Sequence, residues 1–221
     1  MIRGLIFDFD GLILETEGPI YQSWVELFQE YGAELPFEVW ATIIGTSDLE
    51  HFDPISKLEE QTGRKLDRDN IAPRRSAREI ELVYAQPILP GVVDKLESAQ
   101  KTGLKLGIAS SSDRKWVEGH LTRLGLIDYF EVIHTSDDVT YTKPDPELYL
   151  LALKSLGLKP AEAIVFEDSP NGVTAAQKAE IFTVVVPNPL TRQLPLDHAD
   201  LRLESLAAMP LDEIIQLANQ R

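Results

Sequence analysis

From Pro87 to the end, the chain repeats one alternation. Helical patterns at Val92–Lys101, Lys115–Leu124, Pro146–Leu156 and Gly172–Ala179 are each followed by a short apolar run. Those runs are Leu104–Ala109, Glu131–Thr135, Ala163–Phe166 and Phe182–Val186. Strands that alternate with helices build a parallel sheet covered on both faces, because each crossover must return the chain to the same end. The opening run Ile2–Phe7 reads as a further strand of that sheet, and Leu211–Ala218 as a closing helix. The expected fold is therefore α/β, a doubly wound, Rossmann-like parallel sheet.

The stretch between the first strand and Pro87 follows a different rule. Ile20, Trp24, Leu27, Phe28 and Tyr31 recur at helical spacing, and Gly32 is placed to end that helix. A short helix from Pro36 to Gly45 and two charge-rich helices, Leu49–Thr62 and Arg68–Ala85, complete the region. It has no strand-like run. The predicted organisation is a core of residues 1–16 and 87–221, with residues 17–86 inserted as a small helical-bundle cap.

Doubly wound sheets bind ligands at the carboxyl ends of their strands. The first strand runs into Asp8-Phe9-Asp10-Gly11. Residues i and i+2 share one side of an extended chain, so two carboxylates stand together there. Gly11 allows a sharp turn or the close approach of a ligand. The second strand ends in Ser110-Ser111-Ser112. Lys143-Pro144 follows the third after a polar loop, and the fourth ends in Glu167-Asp168-Ser169. Each has a bland reading taken alone. Asp8 and Asp10 fit a solvated turn, Ser112 and Asp113 fit a helix cap, and Lys143 fits a solvated loop. Glu167 and Asp168 fit a cap before Pro170. Four such coincidences at one edge of one sheet are less economical than a single site. Carboxylates without partners resist burial, and a hard cation such as Mg²⁺ resolves that conflict.

Composition narrows the function. The formal charge of −15 argues against a general nucleic-acid binder and against long-range attraction of any anion, so a phosphorylated ligand needs a local cation. The absence of cysteine excludes disulfides and thiolate metal sites and fits a reducing cytoplasm. No apolar run approaches the roughly 20 residues of a membrane span, and the first residues lack a signal-peptide pattern.

Asp8-Phe9-Asp10-Gly11, Ser110, Lys143-Pro144-Asp145-Pro146 and Phe166-Glu167-Asp168-Ser169-Pro170-Asn171-Gly172, in this order, resemble the four motifs of the haloacid dehalogenase superfamily. The resemblance is to the helical-cap subgroup that includes phosphoglycolate-type phosphatases and beta-phosphoglucomutases, and it spans nearly the whole chain. It implies a Mg²⁺-dependent phosphatase acting on a small phosphorylated metabolite through an aspartyl-phosphate, with no oligomer required. By the same resemblance Asp8 is the nucleophile and Asp10 the general acid/base. Asp8, Asp10 (through its backbone carbonyl), Asp168 and Glu167 form the implied metal set. Gly11, Ser110, Ser111 and Lys143 bind substrate, Lys143 also neutralising charge during transfer.

Two departures matter. Glu15 stands where many relatives have Asp, and Ile20 where a histidine often stands on the first cap helix. The second lowers the expectation of the alternative activity, a sugar-phosphate mutase. A phospho-acceptor signalling domain is the alternative of another class, but its acceptor Asp sits at a middle strand, where this chain offers serines. Among the cap arginines Arg74, Arg75 and Arg78, the sequence favours a solvated helix face for at least two and leaves a second anion site open to the third.

Overall fold

The computed structural model describes residues 1–45 and 52–221. Its centre is a six-stranded, all-parallel sheet. The strands are β1 (Gly4–Phe7), β2 (Lys105–Ala109), β3 (Val132–His134), β4 (Ala163–Glu167), β5 (Phe182–Val185) and β6 (Leu201–Arg202). Their spatial order is β3-β2-β1-β4-β5-β6. This is a doubly wound order whose direction reverses between β1 and β4, where such sheets open a crevice.

The central strands are apolar but for Lys105 at the start of β2 and Glu167 at the end of β4, because both faces are covered. Leu5 and Phe7 of β1 point into one core with Ile108, Val92, Leu96 and Phe166. Ile6, between them, points to the other face and meets Ala109, Tyr149, Ala152 and Val165. The helices of this part are α5 (Val92–Lys101), α6 (Arg114–Arg123), α7 (Glu147–Leu156), α8 (Pro170–Lys178) and α9 (Leu211–Ala218). Their starts follow capping chemistry. Asp113 accepts from the Trp116 N–H, and Ser169 from the Gly172 N–H.

The helices α1 (Glu17–Glu30), α2 (Phe37–Trp40), α3 (Pro54–Thr62) and α4 (Arg68–Tyr84) have an apolar core of their own. It contains Leu27, Phe28, Leu35, Trp40, Ile44, Leu58 and Ile71. No strand lies in this segment among the described residues. Its entry and exit run side by side. Leu14 bridges Ile88, and the Leu89 N–H donates to the Ile13 carbonyl at 3.0 Å.

Several boundaries depart from the sequence reading. The short Pro36–Gly45 helix is one turn, Phe37–Trp40, continued by a 3₁₀ turn at Ala41–Ile43. The third helix begins at Pro54, where Asp53 caps it through the Ile55 N–H, while the expected start at Leu49 lies outside the described residues. β6 is an additional strand of two residues, too short to leave an apolar run in the sequence. Among the described residues, no helix is long and apolar enough to cross a membrane.

Candidate active site

The carboxyl edge of the sheet gathers the singled-out residues. Asp8 follows β1 and continues its pairing, its N–H donating to the Phe166 carbonyl at 3.0 Å. Its carboxylate is buried, and Oδ1 accepts from Lys143 Nζ at 2.6 Å. Lys143, 1% exposed, donates equally to Glu167 Oε1 at 2.6 Å. Burial works against the lysine's charge, and the two adjacent carboxylates outweigh it, holding its pKa above the usual lysine range.

Glu167 is fully engaged. Its Oε1 also accepts from the Tyr149 hydroxyl. Its Oε2 accepts from the N–H groups of Asp168 and Ser169 and from Ser169 Oγ. Gly172 leaves room for it, since a Cβ there would lie 1.9 Å from the Glu167 carboxyl carbon. Asp168 turns the other way, its Oδ2 accepting from Asn188 Nδ2 at 2.7 Å. Asn188 is in turn held by the N–H groups of Leu190 and Thr191.

Gly11 has φ +73°, a backbone conformation that side chains strain. A Cβ there would meet Asp168 Oδ2 at 2.4 Å and Asn188 Nδ2 at 2.6 Å. The glycine thus lets the turn after Asp10 press against the carboxylate of the fourth strand.

Asp10 points its side chain toward the second strand end. Its Oδ2 accepts from Ser112 Oγ at 2.6 Å and Ser110 Oγ at 3.4 Å, and its Oδ1 from Trp116 Nε1 at 2.9 Å. Ser110 is buried, and its own Oγ accepts from the Ser112 N–H. Ser111 Oγ donates to the Gly45 carbonyl of the helical segment at 3.3 Å. Asn171 makes a second link of this kind, to the Ile44 carbonyl at 2.8 Å.

The arrangement carries surplus negative charge. Asp8, Glu167 and Asp168 each bring a carboxylate oxygen within 4.8 Å of the others. Burial pushes the Asp8 carboxyl up to about 8, with Lys143 opposing and Glu167 and Asp10 reinforcing. Burial, followed by Glu167 and Asp8, pushes Asp168 well above the carboxylate range. Glu17 at the start of α1 adds to this field; burial and then Asp10 and Asp8 raise it too. An all-oxygen donor set with one lysine against several buried carboxylates suits a hard divalent cation. Asp8, Glu167 and Asp168 could each offer an oxygen to it, and both oxygens of Glu167 already accept from protein donors.

The site opens into a cavity of about 560 Å³ between the strand ends and the helical segment. Asp8, Asp10 and Ser110–Ser112 form one end, and Ile20, Trp24 and Arg75 belong to the other. Of the three arginines, Arg75 reaches the cavity, while Arg74 pairs with Glu30 and Arg78 with Glu26 and Glu81 at the surface. Sequence reasoning missed Tyr149, Asn188, Trp116 and Glu17. Asn188 lies three residues beyond β5, so the strand-end rule reaches it; the others leave no local signal.

Residues 5–186 match the family described as haloacid dehalogenase-like hydrolase. Over 221 residues, all of both chains, the chain is 48% identical to the protein YhcW of Bacillus subtilis. It is 34% identical over 182 residues to the phosphorylated carbohydrates phosphatase of Thermotoga maritima, covering 81% of this chain and 82% of that one. Among solved structures, the beta-phosphoglucomutase of Clostridium difficile aligns with TM-score 0.80 and 26% identity, over 100% of this chain and 98% of that one. With its parallel sheet, its four motifs at adjoining strand ends and these relatives, the chain belongs to the haloacid dehalogenase-like hydrolases.

Proposed function

We propose that this chain is a Mg²⁺-dependent phosphatase that hydrolyses a small phosphorylated sugar or related metabolite through an aspartyl-phosphate. The observation that carries the reading is the buried Asp8–Lys143–Glu167 chain beside Asp168. A nucleophilic carboxylate has its lysine in place, next to a carboxylate set that needs a cation. The phosphorylated-carbohydrate activity named for the Thermotoga relative supports the substrate class.

Asp8 is the nucleophile. Lys143 keeps its oxygen oriented and offsets negative charge as the phosphoryl group approaches. Glu167 holds Lys143, and both of its oxygens already accept from protein donors. Asp8, Asp168 and the Asp10 backbone carbonyl would hold Mg²⁺, which supplies charge neutralisation of the phosphoryl oxygens. Gly11, Ser110 and Ser111 form the phosphate cradle. Asp10 is the general acid/base; Ser110, Ser112 and Trp116 hold its carboxylate beside the site. It protonates the leaving oxygen, then takes a proton from the attacking water. Residues 17–86 act as a cap, whose contacts through Ile44 and Gly45 close the cavity over the strand ends. Ile20 lines that cavity, so the position where the mutases carry a histidine holds no titratable group here.

The test is hydrolysis of p-nitrophenyl phosphate by chelated protein with and without added Mg²⁺. Activity is expected to vanish in chelator and return with Mg²⁺, and less with Ca²⁺, whose looser coordination misplaces an in-line attack. Full activity in excess chelator overturns the metal assignment, and no activity under any condition overturns the phosphatase reading.

A further inference from the structure

The far end of the cavity has a chemistry of its own. The chain has three tryptophans, and all of them line this cavity: Trp24, Trp40 and Trp116. Among the described residues Arg75 is the sole lysine or arginine in the lining. Its charge is already covered. Glu79, one helical turn on, pairs with its Nη1, and its guanidinium carbon lies 4.6 Å from the Trp24 ring centroid. Glu17 and Asp113 add further carboxylates to the lining, and Asp53 a third that is paired with Arg68 at 2.6 Å.

A phosphate ester bound with its phosphorus at Asp8 extends its other end into this chamber. If that end bore a carboxylate or a second phosphate, it would lie against an acidic lining and would have to displace Glu79 from Arg75. Both are costly where water is scarce. A run of hydroxyl groups meets no such conflict. Hydroxyls donate to the Glu17 and Glu79 carboxylates, while the C–H faces of the chain or ring rest on the indoles.

We propose that the cavity selects monophosphate esters of uncharged polyols or sugars, and that Glu79, by covering the charge of Arg75, denies a second anionic group its cation. This rests on the phosphatase reading above and names its substrate class. Glu79 is a specificity residue in it, acting through the charge of Arg75.

The test uses the full chain with Mg²⁺ and matched substrates. Sorbitol 6-phosphate and 6-phosphogluconate differ only in a terminal hydroxymethyl or carboxylate. Fructose 6-phosphate and fructose 1,6-bisphosphate differ in the second phosphate. Each is measured as kcat/KM and as a competitive inhibition constant against p-nitrophenyl phosphate, so that slow turnover still yields a ratio. The neutral member is expected to be favoured at least about tenfold in both pairs. Glu79→Gln uncovers the Arg75 charge and should narrow both ratios about tenfold or more. The double change Arg75→Gln with Glu79→Gln removes the cation again and should restore the preference. Ratios near one in the wild-type chain, or a preference for the charged member, overturn the proposal without any variant. So does a folded Glu79→Gln protein, judged by its thermal melt, whose ratios do not move. Absence of p-nitrophenyl phosphate hydrolysis signals instead that the phosphatase reading has failed, and the same substrate pairs are then compared by calorimetric binding with the same expectation.

Discussion

Replacing Lys143 with methionine separates what this residue does for the fold from what it does for the reaction. Methionine keeps the reach of the side chain and removes its charge. In the native protein Nζ lies 2.6 Å from both Asp8 Oδ1 and Glu167 Oε1, at 1% exposure. Its loss leaves two buried carboxylates without their shared cation. Breaking a buried pair in this way costs about 3–5 kcal/mol, because the stranded charge cannot recover its hydration. Against a domain stability of about 5–15 kcal/mol that is a large fraction. Urea slopes of about 1–3 kcal/mol per molar translate it into a midpoint lowered by roughly 1–5 M, measured by circular dichroism in chelator. Turnover of p-nitrophenyl phosphate with Mg²⁺ should fall about 10²–10³-fold, the usual cost of removing one group that stabilises developing charge. Adding Glu167→Gln removes one stranded charge and should recover part of the midpoint, but none of the turnover. An unchanged urea midpoint in Lys143→Met would refute the buried-charge argument. Turnover within threefold of wild type, or its recovery in the double variant, would refute the role in transfer.

Three further outcomes follow from the geometry. Asp8→Asn should form no phosphoenzyme in rapid-quench intact mass. Asp10→Asn should accumulate it from an aryl phosphate while steady-state turnover drops about 10²–10⁴-fold; labelling of Asp8→Asn would show the roles to be misassigned. Gly11→Ala places a Cβ against Asp168 and Asn188 at positive φ. It should lower stability by about 1–3 kcal/mol in urea melts and raise the Mg²⁺ concentration for half-maximal activity, an unchanged requirement counting against the Asp168 ligand. For pH, the sign follows from carboxyls whose folded pKa is raised. Asp8 goes from 3.8 to about 8, and Asp168 shifts in the same direction. Such groups favour folding at low pH and lose that contribution as pH rises through the folded value. The metal-free protein should therefore melt progressively lower between pH 5 and about 8, and Mg²⁺ should flatten the trend. A chelated protein that gains stability over that range would contradict the charge surplus.

Much of this architecture is legible along the chain because its causes are local. Strands buried on both faces read as largely apolar runs, and β1, β2, β4 and β5 do so, interrupted only by Lys105, Thr183 and Glu167. The helix start at Asp113 shows its cap, and the signature segments fall at strand ends, where a parallel sheet brings its carboxyl termini to one edge; before Pro170 the cap is Ser169 rather than Glu167 or Asp168. β6 escapes such reading because two residues paired to Val184 and Val185 have no periodicity of their own.

The site divides the same way. Asp8, Asp10, Gly11, Ser110, Lys143 and Asp168 could be named from residue type and position, since backbone direction alone carries them to the edge of the sheet. Which of them touch was decided by packing. Asp10 is bound by Trp116, 106 residues away, and by Ser112, 102 residues away. Glu167 looks like a metal ligand in the sequence, and the tertiary structure surrounds it with Lys143, Tyr149 and two N–H groups. Arg74, Arg75 and Arg78 are alike in the sequence, yet the rotation of α4 against α1 sends Arg74 and Arg78 to surface partners and Arg75 into the cavity with Glu79 and Trp24. Local sequence specifies how each segment bends and which face is apolar. The side-chain neighbours depend on how rigid elements dock, and that is set by the shape of the whole core.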